Sequence, residues 1–348
     1  MNFRFRSLVL ALALTPTLAC EEEPTRPTPD GDAREHAVVL NSVGLTLSVF
    51  ATDSPDSVVT IPLGASGSPT TLAVHEGIAL VPFGTVSAVM VVDLAAGVVL
   101  DVIALPANGG ATGVAIVDDS LAFVANPELN SVSPVRYRDG IALDAIDVGI
   151  YPTALVAHEG SVYVLEANLV DFAPDGPSTV SVIDAHALEV DTTFALSGRN
   201  AGDGLISGDS VLYVLHRGDY GLGNGAVSVV PLPGVAERER FDGFGEGTGT
   251  LSELDGDLLI SSYEYGLVLY DPEMRDFLVA PEDGVSPPDA ANVLGAGVDR
   301  DGRLYAIDAR DCTQPGRVWV WTGALGDVGD AEPVTAGACP IEVVFTTF

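Results

Sequence analysis

Two stretches of the chain, "LAVHEGIALV" and "LVAHEGSVYV", each carry an adjacent His-Glu pair, His75–Glu76 and His158–Glu159. An imidazole beside a carboxylate is the equipment of a metal centre or of acid/base catalysis. The same pair could equally be one structural corner used twice. A metal reading requires both imidazoles and further ligands to converge on one centre. The question therefore becomes where the two turns lie in the fold.

Repeats answer it. A small or turn residue followed by alternating apolar residues recurs seven times, as "LTLSVFA", "SAVMVVD", "NSVSPVR", "STVSVID", "GAVSVVP", "YGLVLYD" and "GRVWVWT". Taking Ser48, Met90, Ser133, Ser181, Ser228, Val268 and Trp319 as equivalent gives spacings of 42, 43, 48, 47, 40 and 51 residues. That is the period of a four-stranded propeller blade. A second pattern, a turn followed by an apolar strand ("HEGIALV", "DDSLAFV", "HEGSVYV", "GDSVLYV", "DGDLLIS", "DGRLYAI"), keeps step with the first. Each blade thus reads as strands a, b, c and d, with this turn between a and b. The seventh blade lacks its own a–b turn. The terminal "CPIEVVFTTF" reads as a strand a, and "EHAVVLNSVG" begins directly at a strand b. The expected fold is all-β, a seven-bladed β-propeller of four-stranded antiparallel blades, closed by Ile341 to Thr347 packing inside Ala37 to Gly64.

The segments "VYVLEAN...STVSVIDAHALEVDTTFAL" and "AFVANPELNSVSPVRY" resemble the YVTN repeats of surface-layer and YncE-like propellers, where a Tyr-Val-x-Asn strand precedes a Val-Ser-Val-Ile-Asp strand. Pro134 inside a c strand and the looser last blades depart from that pattern. The resemblance implies the fold and leaves function open.

On this blade plan the a–b and c–d turns share one face, while the b–c loops and the links between blades share the other, the top. His75, Glu76, His158 and Glu159 then fall in bottom-face turns of blades that are not neighbours. Equivalent turns hold Asp118–Asp119, Gly208–Asp209 and Asp301–Gly302, so the position asks only for small or polar residues. "DRDGRLY", Asp299 to Tyr305, resembles a calcium-loop fragment and a motif of gluconolactonase-like propellers, but lacks a twelve-residue ligand pattern ending in Glu and reads as another hairpin.

Long top-face loops, "EANLVDFAPDGPS", "HRGDYGLGNG" and "DARDCTQPG", are where a ligand site is expected. They supply Glu166, Asn168, Asp171, His216, Arg217, Asp219, Tyr220, Asp308, Arg310 and Asp311, with Tyr263 and Glu264 from the blade between the last two. Carboxylates beside Arg and His suit a cation, a sugar or a peptide. Glu166, His216 and Asp308 are the trio expected at the channel mouth. No nucleophile elbow, phosphate loop or HExxH spacing occurs. A binding or protein-interaction module without a cofactor is expected. The rivals are a lactonase-type hydrolase with a metal on top-face carboxylates, and a purely structural surface protein.

The start, "MNFRFRSLVLALALTPTLAC", has Arg4 and Arg6, an apolar run and small residues before Cys20. It resembles bacterial lipoprotein signals, with Thr17 where an aliphatic residue is usual. Residues 1–19 are expected to be removed, Cys20 lipidated, and 20–36 to tether a domain over 37–348 in the cell envelope. Cys312 and Cys339 map to the top of one blade and are expected to form a disulfide. The run "VSAVMVVDLAAGVVLDVIAL" is interrupted by Asp93 and Asp101 and reads as strands c and d, not as a membrane helix. The formal charge is −34, with 49 acidic residues, 15 basic ones and no Lys. Such a surface repels phosphate backbones, so nucleic acid is not an expected partner. A protein, peptide or glycan ligand, a membrane reached only through the lipid, and a monomer are expected.

Overall fold

In the computed structural model, residues 33–348 other than Asp209 are described. The expected lipidation at Cys20, the signal segment and most of the tether lie outside them. The described chain begins its first strand at Glu35, two residues before the expected start.

Seven antiparallel sheets, six of four strands and one whose outer strand is split in two, form a seven-bladed β-propeller of four-stranded blades. Blade 1 is built from both ends of the chain: strand a is Pro340–Thr347, b is Glu35–Asn41, c is Thr46–Ala51 and d is Ser54–Pro62. The a and b strands pair from Glu35↔Thr347 to Asn41↔Pro340. This is the predicted closure, and it removes the open edge that the first and last blades would otherwise present. Strands a, b and c of the next blades are Ala73–His75, Ile78–Pro82 and Ala88–Asp93 in blade 2; Val114–Ile116, Leu121–Asn126 and Ser131–Arg136 in blade 3; and Pro152–His158, Ser161–Glu166 and Thr179–Asp184 in blade 4. Blade 5 has Ala201–Ser207, Val211–His216 and Ala226–Pro231, and blade 6 has Thr248–Leu254, Asp257–Ser262 and Gly266–Asp271. Blade 7 has Val293–Val298, Leu304–Asp308 and Pro315–Trp321.

All seven residues aligned by the repeat sit in c strands. In six blades each faces the b-strand residue two places before that strand's end: Val39, Val124, Val164, Val214, Ile260 and Ala306. The apolar run after Val86 forms strand c and strand d (Val98–Ala104) of blade 2. Pro134 is accommodated within strand c of blade 3, whose outer edge is split into two short strands, Ile141–Ala142 and Ile146–Asp147.

Strands b and c are covered on both faces by neighbouring blades, which is why they read as near-continuous apolar runs. The core is divided into seven apolar clusters, one at each blade junction. Cys312, after strand b of blade 7, is bonded to Cys339, immediately before strand a of blade 1. The disulfide therefore staples the ring at its closure, from the top.

Candidate functional site

The bottom-face corners are explained by backbone geometry. His75 pairs with Ile78 and His158 with Ser161, so each turn has two central residues. Both are left-handed, at φ 44° and 77° for Glu76–Gly77 and 46° and 79° for Glu159–Gly160. That is the primed turn that matches the twist of a β-hairpin, and Gly suits its second position. Asp255–Gly256 repeats the arrangement in blade 6. His75 meets Asp119 of the adjacent blade at 2.8 Å, whereas His158 lies two blades away beside its own Glu159. The two imidazoles share no centre. "DRDGRLY" is likewise a closed hairpin: the buried Asp299 carboxylate accepts from the Asp301 and Arg303 backbone N–H groups, from Arg303 Nε and from the Tyr305 hydroxyl.

The trio expected at the channel mouth has a different place. Glu166, His216 and Asp308 are each the last residue of a strand b, equivalent to Asn41, Asn126 and Ser262, and all six are fully buried. In the Tyr-Val-x-Asn pattern this is the Asn position. Four of the six hold the chain that enters the same blade, whereas Asn126 donates to Ser131 and Ser133 of its own blade and His216 contacts Ser228. Asn41 Oδ1 accepts from Gly337 N, Glu166 Oε1 from Gly149 N at 2.9 Å and Asp308 Oδ1 from Ala291 N, while the Ser262 hydroxyl donates to Glu246 O. Glu166 also accepts from the Thr179 hydroxyl, and His216 Nε2 lies 2.7 Å from Ser228 Oγ. Burial holds the His216 imidazole down to about 3, with the Arg240 charge adding to the effect, so it is neutral. The sequence trio occupies three separate blades and does not reach the channel.

The remaining predicted residues divide. Asn168 donates to the Asp175 and Pro177 carbonyls and braces a small hairpin, Leu169–Val170 with Ala173–Pro174, which contains Asp171. Asp219 pairs with Arg199 at 2.8 Å. Glu264 is exposed at a loop tip outside the channel. Arg310 and Asp311 line, with Tyr263 and Cys312, a shallow side pocket of about 470 Å³. Hydrogen bonds from the Thr313 backbone N–H and hydroxyl hold the Asp311 carboxyl below its ordinary range. Arg217, Tyr220 and Tyr263 alone line the central channel.

That channel opens on the top face as a cavity of about 700 Å³, walled by the inner strands and their links. Its mouth carries aromatic side chains: Tyr151 and Phe172 pack edge to face at 6.1 Å, and Phe172, Tyr220 and Tyr263 are 66%, 62% and 58% exposed. Tyr151 and Phe172 both stand at positive φ, 56° and 61°. Bulky residues seldom adopt that backbone, and such positions concentrate at ligand clamps and active sites.

Two carboxylates sit inside the mouth, Asp203 on strand a of blade 5 and Glu342 on strand a of blade 1, three places apart around the ring. Each latches onto the next blade: Asp203 Oδ2 accepts from Leu251 N, and Glu342 Oε2 from Leu72 N, both at 2.8 Å. Thr153 and Thr250 make the neutral version of this latch, to Ala201 O and to Ala296 N and O. Both carboxylates are part-exposed to the channel and densely packed on their other sides. Burial pushes Asp203 up to about 6, against its two backbone hydrogen bonds and the Arg217 charge. Burial, reinforced by the Asp203 charge, pushes Glu342 up to about 8. Arg217 has no carboxylate within ion-pair distance among the described residues.

Asp203, Glu342, Tyr151 and Phe172 were missed by sequence reasoning. For the two carboxylates the signal was an acidic residue near the top of a strand a, where the counterparts facing the same b-strand position, Ala154 and Gly295, are small.

Comparison with known proteins bears on the fold. Over 78% of its length the chain is similar to a solved structure from Kuenenia stuttgartiensis hydrazine synthase, covering 92% of that chain at a TM-score of 0.59 and 14% identity. At that identity the likeness shows a shared propeller fold and nothing of activity. No protein-family model and no curated protein matches the sequence.

Proposed function

We propose that this protein is a ligand-binding β-propeller of the cell envelope, lipid-anchored at Cys20, that takes its ligand at the top mouth of the central channel. The observation that carries the reading is the aromatic mouth. Among the exposed large hydrophobic side chains of the described residues, all three aromatics, Phe172, Tyr220 and Tyr263, belong to the top face and line the same cavity. Exposed rings gathered around a concave site of several hundred Å³ are what small-molecule and peptide sites use. The described chain enters strand b of blade 1 at the bottom face, the face opposite the mouth.

A binding role is favoured over a metal-dependent hydrolase because Glu166, His216 and Asp308, which would have built that centre, brace three different blades. The test is a paired screen of the soluble domain and its Tyr220→Ala/Tyr263→Ala variant on glycan and peptide arrays. Ligands bound by the parent and lost by the folded variant are expected. Arrays that respond equally to both would overturn the channel-mouth reading.

A further inference from the structure

Among the described residues the channel is lined by three charged side chains, Asp203, Glu342 and Arg217, and by three further titratable ones, Tyr151, Tyr220 and Tyr263. Two carboxylates against one guanidinium leave the site net acidic when both are ionised. The whole chain, at −34, projects a potential that draws cations toward it. Aromatic faces at the entrance attract an organic cation and tolerate its aliphatic stem. Each carboxylate accepts two hydrogen bonds, Glu342 from the Leu72 N–H and the Thr71 hydroxyl and Asp203 from the Leu251 and Gly204 N–H groups, one on each oxygen. An ionised carboxylate accepts at about four sites, so each of these channel-lining groups keeps acceptor capacity for a ligand.

We propose that the ligand is a basic peptide segment that inserts one Lys or Arg side chain into the channel, its cationic head in the joint field of Asp203 and Glu342. This rests on the channel-mouth reading above. Arg217 selects a peptide over a free amine: its unpaired guanidinium faces backbone carbonyls of a bound segment, and it repels the second charge of a diamine. A bound cation favours the ionised form of both carboxylates, so binding releases protons near neutral pH. The affinity then rises with pH, from about 5.5, where both carboxyls are largely protonated, to about 8.5, where both are ionised.

The experiment is fluorescence anisotropy with a labelled peptide, Gly-Ser-Lys-Gly-Ser, beside the same peptide bearing acetyl-lysine, with cadaverine as competitor. The Lys peptide is expected to bind at least tenfold tighter than the acetylated one at pH 8.5, and to lose at least tenfold at pH 5.5. Asp203→Asn/Glu342→Gln, whose amide oxygens still accept the Leu251 and Leu72 N–H groups, is expected to abolish that preference. His75→Ala on the bottom face is expected to leave it intact. Equal binding of the two peptides overturns the proposal, and does so on the unmodified protein, independently of any variant's folding. Cadaverine binding as tightly as the peptide overturns the peptide assignment in favour of free amines. If neither peptide binds while array ligands are still lost on Tyr220→Ala/Tyr263→Ala, the cation assignment falls and the channel-mouth reading stands.

Discussion

Glu166 and Glu342 are both glutamates near the top of a blade, one strand position apart in depth. Glu166 ends a strand b, is fully buried and accepts hydrogen bonds from Gly149 and Thr179 of its own blade. Glu342 lies on a strand a, faces the channel and holds the Leu72 N–H of the next blade with one oxygen. The first carboxylate organises a link; the second lines a cavity. Residue type carries no distinction between them. What separates structure from site here is which strand of the blade bears the residue, because only strand a looks onto the channel.

The largest effect is expected at Glu166. Glu166→Ala strands the Gly149 N–H and the Thr179 hydroxyl in the interior, each at a cost of about 1–3 kcal/mol. A loss of about 4 kcal/mol in denaturant unfolding is expected, with ligand binding by the folded fraction unchanged. A loss under about 1 kcal/mol would mean that the strand-end position does not brace the link.

His216, at the same position one blade on, offers a sharper version through pH. Its folded value of about 3 lies below the ordinary 6.5, so its contribution to stability is present above pH 6.5 and is lost as pH falls toward 3. Between pH 7 and pH 4 this amounts to about 3 kcal/mol at 1.36 kcal/mol per unit. His216→Asn, the residue found there in blades 1 and 3, is expected to flatten that part of the stability–pH curve. A curve unchanged by the substitution would show that other groups set the acid limit.

The smallest effect belongs to the channel, and its sign is opposite. Glu342 is raised to about 8 from 4.5, so the stability it confers is fully present below pH 4.5, where it is protonated in both states, and is lost as pH rises through 8. Glu342→Gln is expected to match the parent at pH 4 and to exceed it by about 2 kcal/mol at pH 9, a value already reduced for screening through the open channel. Thermal melts at the two pH values decide it. Destabilisation at pH 9 would mean that the ionised carboxylate is welcome there even without a ligand.

How far the sequence reaches follows the same division. The c strands, the closure by the C-terminal strand and the Cys312–Cys339 bond were legible, because period-two patterning, repeat spacing and chain ends are one-dimensional signals. The loop that supplies Arg217 and Tyr220 was legible from its length, whereas Tyr263 stands in the short connection between Ser262 and Gly266 of the next blade. The inward aim of Asp203 was not. Strand a shifts register near its top in several blades, between Pro152 and Ala154, Ala201 and Asp203, Thr248 and Leu251, and Val293 and Gly295. A bulge of this kind re-aims the side chain beside it, and its position is set by the neighbouring strand rather than by local composition. Glu166, His216 and Asp308 were misplaced for the complementary reason. A polar residue at the mouth of a loop looks accessible in sequence, and only the incoming link, distant along the chain, covers it.

The closure of blade 1 has a mechanical consequence. Strand b, Glu35–Asn41, is paired along its length with strand c on one side and with Pro340–Thr347 on the other. A pull transmitted through the chain on the N-terminal side of Glu35 runs along that strand and loads both ladders lengthwise. Their hydrogen bonds must then slide together instead of parting one at a time, while the Cys312–Cys339 bond pins the far end of the partner strand. Force from that side thus meets the fold where its resistance is shared along two ladders at once.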